Sequence, residues 1–359
     1  MLENTRYLLK TAKKLTVSYF GGSITEMKGW RGMTESWMRE AFPEAEITNV
    51  NSAIGGTGSF VGLYRCDRDV IAHKPDLVFF EFSVNDGFAC DYDGVSVNSE
   101  SIFRKLRRAN PYVDIIIVYT ITKAAWDAYT DGRPSVARQA HDDLGRHYNL
   151  PRIDMGIHLA YAVNRAGGDW TVYAPDTVHP GEGGHRFCAD AVIDVLRPAL
   201  SGEAPEALKE HVMPEPKNPA DSLKTDARLL DAAGLIECGS GQRQKGWTLV
   251  DKPLCGRYEH YIESDDIGSA LELRFTGREA GVYWMLAKDG GDIICSLDGG
   301  EEKTVRAWDR YCLNFNRIAL PLLYGNLAPG EHILRLRVAG KKHEQSEGNK
   351  IRIAAFGIS

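Results

Sequence analysis

Residues 15–30 read LTVSYFGGSITEMKGW. Leu15–Phe20 carry no charge and are rich in β-formers, as a strand covered on both faces requires. Gly21-Gly22 ends the run, and a helix-compatible segment follows almost at once. Glycine at such a corner permits a sharp turn or a close approach by another group. Ser23, directly behind the corner, has three readings: a turn residue, part of an anion cradle, or a nucleophile presented at the end of a core strand. A Gly-Gly-Ser corner taken alone is most often only a turn.

The same texture recurs downstream. EITNV, DLVFFEF, DIIIVYT and LPRID are further strand candidates. Helical periodicity falls between them, at Arg31–Ala41, Phe60–His73, Ser99–Ala109, Ser135–Tyr148, Gly156–Arg165 and Gly183–Leu196. Strand-then-helix repetition predicts a parallel α/β sheet with right-handed crossovers. Ligands of such sheets bind beyond the carboxyl ends of the strands, so the loops after the strands matter most.

The alternation stops near Leu200. Residues 206–224 are rich in proline and charge and read as a linker. Beyond it, LELRFTG, GVYWMLAK, DIICSLDGG, NRIALPLLYG, HILRLRV and IRIAAFG are short runs separated by Gly, Asp or Pro. ILRLRV puts Leu334 and Leu336 on one side and Arg335 and Arg337 on the other, as a half-buried antiparallel strand does. The expected organisation is an α/β unit over 1–205, a linker over 206–224 and a β-sandwich over 225–359. A length of 359 residues agrees with two cores rather than one.

Bulk properties exclude several function classes. A net charge of −6 and a pI near 6.0 give no electrostatic reason to expect nucleic acid. RKLRRAN, Arg104–Asn110, reads as the solvated face of a helix. No apolar run approaches the ~20 residues of a membrane helix. The first fifteen residues lack a long apolar stretch and a small-residue cleavage site, so a cytoplasmic location is expected. The seven cysteines, Cys66, Cys90, Cys188, Cys238, Cys255, Cys295 and Cys312, form no C-x-x-C pair, and reduced thiols are the simpler reading.

Four loops at strand ends carry the chemistry. After the Gly-Gly-Ser corner comes NVNSAIGGTGSF, Asn49–Phe60. It lacks the third glycine of G-x-G-x-x-G and has no following G-K-[ST], so it is no phosphate loop, although it can bring backbone N–H groups near a ligand. EFSVNDGF, Glu81–Phe88, places Asn85 and Asp86 where they make a turn or where the Asn85 amide donates into a site. YAPDTVHPGEGGH, Tyr173–His185, holds Asp176 and His179 three apart. That spacing lets a carboxylate reach Nδ1 of the same imidazole and leave Nε2 to accept a proton. A metal on His179, Glu182 and His185 is disfavoured, because Pro180, Gly181, Gly183 and Gly184 spoil a rigid helical ligand geometry.

Taken in order, these blocks resemble the SGNH hydrolase superfamily, also called GDSL lipases and acylhydrolases. The blocks are Gly21-Gly22-Ser23-Ile24, Asn51–Gly56, Ser83-Val84-Asn85-Asp86 and Asp176-Thr177-Val178-His179. The resemblance covers about the first 200 residues. Gly22 stands where the usual first block has Asp, and Ser83 where the third often has Gly. The resemblance implies a three-layer α/β/α catalytic domain. Ser23 would be the nucleophile, His179 the general base and Asp176 its orienting carboxylate, with no metal and no cofactor. The oxyanion would be held by the Ser23 N–H, the Asn85 amide and a glycine N–H, with spacing from Asn51 favouring Gly56 over Gly55.

A hydrolase followed by a β-sandwich is similar to carbohydrate esterases with an appended carbohydrate-binding module, and in this order to carbohydrate esterase family 17, which deacetylates mannan oligosaccharides. An acetylated oligosaccharide is the implied partner, with neither nucleic acid nor membrane. Trp308, in KTVRAWDRYCLNFN, either packs under the sandwich or folds over the hydrolase mouth and stacks on a sugar. Trp284 reads as core, and Trp30 and Trp170 as neighbours or supports of the catalytic loops. Glu259, Glu263, Asp265 and Asp266 read better as a solvated hairpin than as a calcium site. Three alternatives stand beside the acetyl esterase: a lysophospholipase or acyl-thioesterase of the same superfamily, a non-catalytic glycan-binding protein, and a nucleotide-binding α/β protein.

Overall fold

The computed structural model describes residues 2–89, 91–237 and 246–359; Cys90 and Cys238 lie outside them. The chain forms two compact units, Met1–Thr225 and Asp226–Ser359.

The first unit is built on β1 (Lys14–Gly21), β2 (Glu46–Asn51), β3 (Leu77–Glu81), β4 (Asp114–Tyr119) and β5 (Arg152–Asp154), all parallel, in the order β2-β1-β3-β4-β5. The helices are α1 (Glu3–Tyr7), α2 (Ser23–Glu26), α3 (Trp30–Ala41), α4 (Ser59–Asp69), α5 (Ser83–Ala89) and α6 (Tyr92–Ala109). They continue with α7 (Lys123–Thr130), α8 (Val136–His147), α9 (Met155–Arg165) and α10 (Glu182–Ser201). Strand alternation separates the two faces of the sheet. Val17, Tyr19, Leu77 and Phe79 share a core with Trp30, Trp170 and residues of α3, α9 and α10. On the other face Phe80 meets Phe20, Phe103 of α6 and His141 of α8 edge-on. Every residue of β3 and β4 is buried, which explains the unbroken apolar runs in the sequence. Each fully buried Phe contributes roughly 1.5–3 kcal/mol.

Residues 206–224 run along this first unit rather than standing free. The Lys209 N–H donates to Asn4 Oδ1 at 2.8 Å and the His211 N–H to the Pro111 carbonyl at 2.9 Å. The Lys217 and Asn218 N–H groups donate to the two oxygens of Glu100 at 2.7 and 2.8 Å. A proline-rich segment cannot form its own ladder, so its N–H groups are left for side chains of a neighbouring surface.

The second unit holds two antiparallel sheets. One runs β13 (Arg317–Ala319), β10 (Ala280–Leu286), β16 (Ile351–Ile358), β8 (Tyr261–Ser264), β7 (Thr248–Val250), with β14 (Leu322–Tyr324) on β10 and β6 (Arg228–Asp231) on β16. The other runs β12 (Lys303–Arg306), β11 (Asp292–Leu297), β15 (Gly330–Val338), β9 (Ala270–Gly277). Trp284 and Phe356 of the first sheet share a core with Leu273, Ile293, Leu334 and Leu336 of the second, which makes the unit a β-sandwich. Arg335 and Arg337 face outward onto Glu272 and Glu302 at 3.1 and 2.7 Å. The expected single strand NRIALPLLYG is two short ones, because Pro321 has no N–H to offer β10. Glu263 faces Lys350 and Arg352 at 3.4 and 3.3 Å, and Asp265 faces Lys350 at 3.8 Å. Among the described residues no group of three or more acidic, His or Cys side chains is arranged to hold a metal, and no helix is long and apolar enough to cross a membrane.

Candidate active site

In a sheet of order 2-1-3-4-5 the chain turns to one side after β1 and to the other at β3, so a crevice opens between those two strand ends. Ser23 follows β1, and Asn85 follows β3. Gly21 and Gly22 are required by close approach. An ideal Cβ on Gly21 falls 2.5 Å from the Glu81 carbonyl oxygen, and one on Gly22 falls 1.9 Å from Asn85 Oδ1. Ser23 opens the short helix α2, where the first N–H groups have no intrahelical acceptor.

The Asp176–His179 loop before α10 closes the arrangement. Ser23 Oγ lies 2.8 Å from His179 Nε2, and His179 Nδ1 lies 2.7 Å from Asp176 Oδ2. Asp176 Oδ1 also accepts the N–H groups of Val178 and His179 at 2.9 and 2.7 Å. Burial acts to raise the Asp176 carboxyl, but the hydrogen bonds from His179 and Val178 outweigh it and hold the group below its usual range. The turn is tight: Thr177 adopts φ +64°, rare for a β-branched residue, and its carbonyl accepts the Lys123 N–H at 2.9 Å.

The glycine loop crosses the end of β1, with the Ile54 N–H on the Gly21 carbonyl at 3.0 Å. The Gly55 N–H is committed to Glu26 Oε2 at 2.8 Å. Gly56 is left-handed at φ +72°, and neither its N–H nor the Asn85 amide has a partner among the described residues. Of the two glycines, Gly56 therefore has the free donor. Asp86 ties the loops together: it is buried, its Oδ1 accepts the Ser59 N–H at the start of α4 at 2.7 Å, and its Oδ2 lies 3.1 Å from His141 Nε2.

Ser23, Asn85, Asp176 and His179 thus come to one place, with Gly55-Gly56 beside them; an ideal Cβ on Gly55 is 3.5 Å from Ser23 Cβ. His185 turns away into the core, its ring against Gly29, where burial and then the charge of His179 push it down to about 4. Trp308 belongs to the sandwich core. It is 7% exposed, with its ring stacked on His343 at 3.8 Å, because an indole gains more from desolvation than from exposure. The exposed rings of that turn are Tyr311 and Phe315. Glu26, Thr25, Glu81 and Thr120 also surround the site. Glu81 alone left a sequence signal, a carboxylate inside the apolar run DLVFFEF.

Residues 19–187 match the GDSL-like Lipase/Acylhydrolase family. No curated protein matches the chain. Two solved structures of a two-domain esterase (CEX) active on acetylated mannans, one co-crystallised with mannopentaose, are similar over 100% of this chain and 95% of theirs. Their TM-scores are 0.80 and 0.79 at 20% identity. The acetylxylan esterase Axe2 from Geobacillus stearothermophilus is similar over 53% of this chain and 95% of its own, with a TM-score of 0.40 at 21% identity.

Proposed function

We propose that this chain, whose residues 19–187 match the GDSL-like Lipase/Acylhydrolase family, is a serine esterase that removes O-acetyl groups from mannan-type oligosaccharides. The observation that carries the reading is the unbroken relay from Ser23 Oγ through His179 to Asp176, at 2.8 and 2.7 Å. A serine hydroxyl attacks an ester only if a base takes its proton as the new bond forms. His179 Nε2 takes that proton while Ser23 Oγ adds to the acetyl carbonyl carbon. The resulting oxyanion is received by the Ser23 and Gly56 N–H groups and the Asn85 amide. His179 then returns the proton to the departing sugar oxygen, leaving acetyl-Ser23. Water, deprotonated by the same imidazole, hydrolyses that intermediate to acetate and regenerates the serine. Asp176 keeps the proton on Nδ1 and stabilises the imidazolium that forms at each step.

The substrate class is supported by the likeness, over both units, to the esterase active on acetylated mannans. The β-sandwich would serve as its glycan-binding module. Acetate release from acetylated mannan, xylan and pectin oligosaccharides tests the reading, with Ser23→Ala as control. Release by Ser23→Ala at the native rate would overturn the mechanism. Turnover of p-nitrophenyl acetate without release from any glycan would overturn the substrate.

A further inference from the structure

β3 ends on Glu81, a fully buried carboxylate in an otherwise apolar strand. Both of its oxygens are engaged. Thr25 Oγ1 donates to Oε2 at 2.8 Å, and Thr120 Oγ1 donates to Oε1 at 2.6 Å. The Glu81 carbonyl accepts the Gly22 N–H at 3.3 Å. Thr25 lies two residues after Ser23 in α2. Thr120 follows β4, and the Ser83 hydroxyl binds it twice, accepting its N–H at 3.1 Å and donating to its carbonyl at 3.2 Å. Ser83 opens α5, the helix that carries Asn85. A continuous path of hydrogen bonds therefore joins the helix of the nucleophile to the helix of the amide, through Thr25, Glu81, Thr120 and Ser83, all of them buried.

A carboxylate is costly to bury, and an apolar side chain would satisfy the strand's packing without that cost. A carboxylate does what an apolar residue cannot, because it accepts two hydroxyls from two different elements at once. We propose that Glu81 is a positioning residue which, by clasping Thr25 and Thr120, fixes the spacing between the Ser23 N–H and the Asn85 amide. These two oxyanion donors sit beyond the paired ends of β1 and β3, whose backbone ladder reaches only Gly21 and Glu81. The inference rests on the esterase reading above.

The clasp depends on ionisation. Burial lifts Glu81 to about 7; the bonds from Thr120, Thr25 and Gly22 oppose this, and the charge of Asp86 on α5 adds to it. The Glu81 charge is also felt by Cys188 of α10, whose thiol is pushed up to about 12 by burial first and by that charge second. From α4, Arg65 reaches the Gly21 carbonyl at 3.3 Å. Protonation of Glu81 turns one acceptor oxygen into a donor, so one threonine hydroxyl must rotate and the clasp is remade.

Steady-state kinetics on p-nitrophenyl acetate from about pH 5 to about pH 9 test this. Glu81→Gln keeps the volume and one acceptor, and kcat is expected to fall about tenfold; Glu81→Leu breaks both bonds and costs about 10². KM stays within about twofold in both, since the donors act in the transition state. The acid limb of kcat is expected to be steepened by a second proton in the native protein and to become a one-proton limb in Glu81→Gln. Thr25→Val removes one strut at constant volume and is expected to mimic the tenfold loss should the Glu81 variants fail to fold. An active native protein matched by Glu81→Gln in kcat and in acid limb, or a loss confined to KM, overturns this inference alone. A native protein without esterase activity overturns the esterase reading and this inference with it.

Discussion

Asn85 covers Gly22 so closely that a β-carbon on the glycine would stand 1.9 Å from Asn85 Oδ1. The glycine that replaces the usual aspartate of the first block is thereby coupled to the amide of the third. Gly22→Ala must swing that amide out of the site. The expected loss in kcat is ~10²–10³, the size of a lost oxyanion donor, with KM little changed. Asn85→Ala should cost the same, and the double variant no more than either alone. Native kcat in Gly22→Ala would remove the amide from the mechanism.

Asp176 accepts three hydrogen bonds, and these hold it ionised below its ordinary range against the effect of burial. Its support is present above its unfolded pKa and fades only as pH falls through the lower folded value, so a loss of activity near neutrality does not belong to this group. Asp176→Asn is expected to lower kcat by ~10³–10⁴ by releasing the imidazole tautomer. A loss under tenfold would show that the backbone of the turn, not the carboxylate, orients His179.

Glu81 links stability to pH in the opposite sense. Its folded value, about 7, lies above the ordinary 4.5, so the folded protein binds the extra proton. The stability this confers is complete below the unfolded value and disappears as pH rises through about 7, a swing on the order of 3 kcal/mol. Urea unfolding of the native protein and of Glu81→Gln should show the native protein losing ground between about pH 5 and about pH 8. A constant difference between the two would place the titration elsewhere.

Trp308→Ala removes a buried, stacked indole and should cost the second unit about 3–5 kcal/mol in urea unfolding. A sugar contact at this residue would in addition raise KM for acetylated oligosaccharides while sparing p-nitrophenyl acetate. Equal effects on both substrates would leave Trp308 a core residue only.

The sequence made the first unit legible because period and burial coincide there. DLVFFEF and DIIIVYT are largely apolar since both faces of β3 and β4 are covered. α3, α4, α8, α9 and α10 match their expected spans within a few residues at most ends, whereas α6 begins at Tyr92 instead of Ser99 and α7 has no counterpart among the expected helices. The helix Ser83–Ala89 was hidden inside a motif that reads as a turn, and β6, β7, β8 and β12 are three or four residues long, too short for alternation to register. Residues 206–224 looked like a linker because their partners, Asn4, Pro111 and Glu100, lie far away along the chain.

By itself the sequence determined the α/β-then-sandwich order and named Ser23, Asn85, Asp176 and His179, since strand-end position and residue type are local properties. Only the tertiary structure decided which glycine keeps a free N–H, because that depends on where the Glu26 carboxylate reaches. It alone turned Trp308 into the core, and it alone revealed the clasp of Glu81 on Thr25 and Thr120. Those are contacts between side chains brought together by sheet order, and linear spacing carries no record of them.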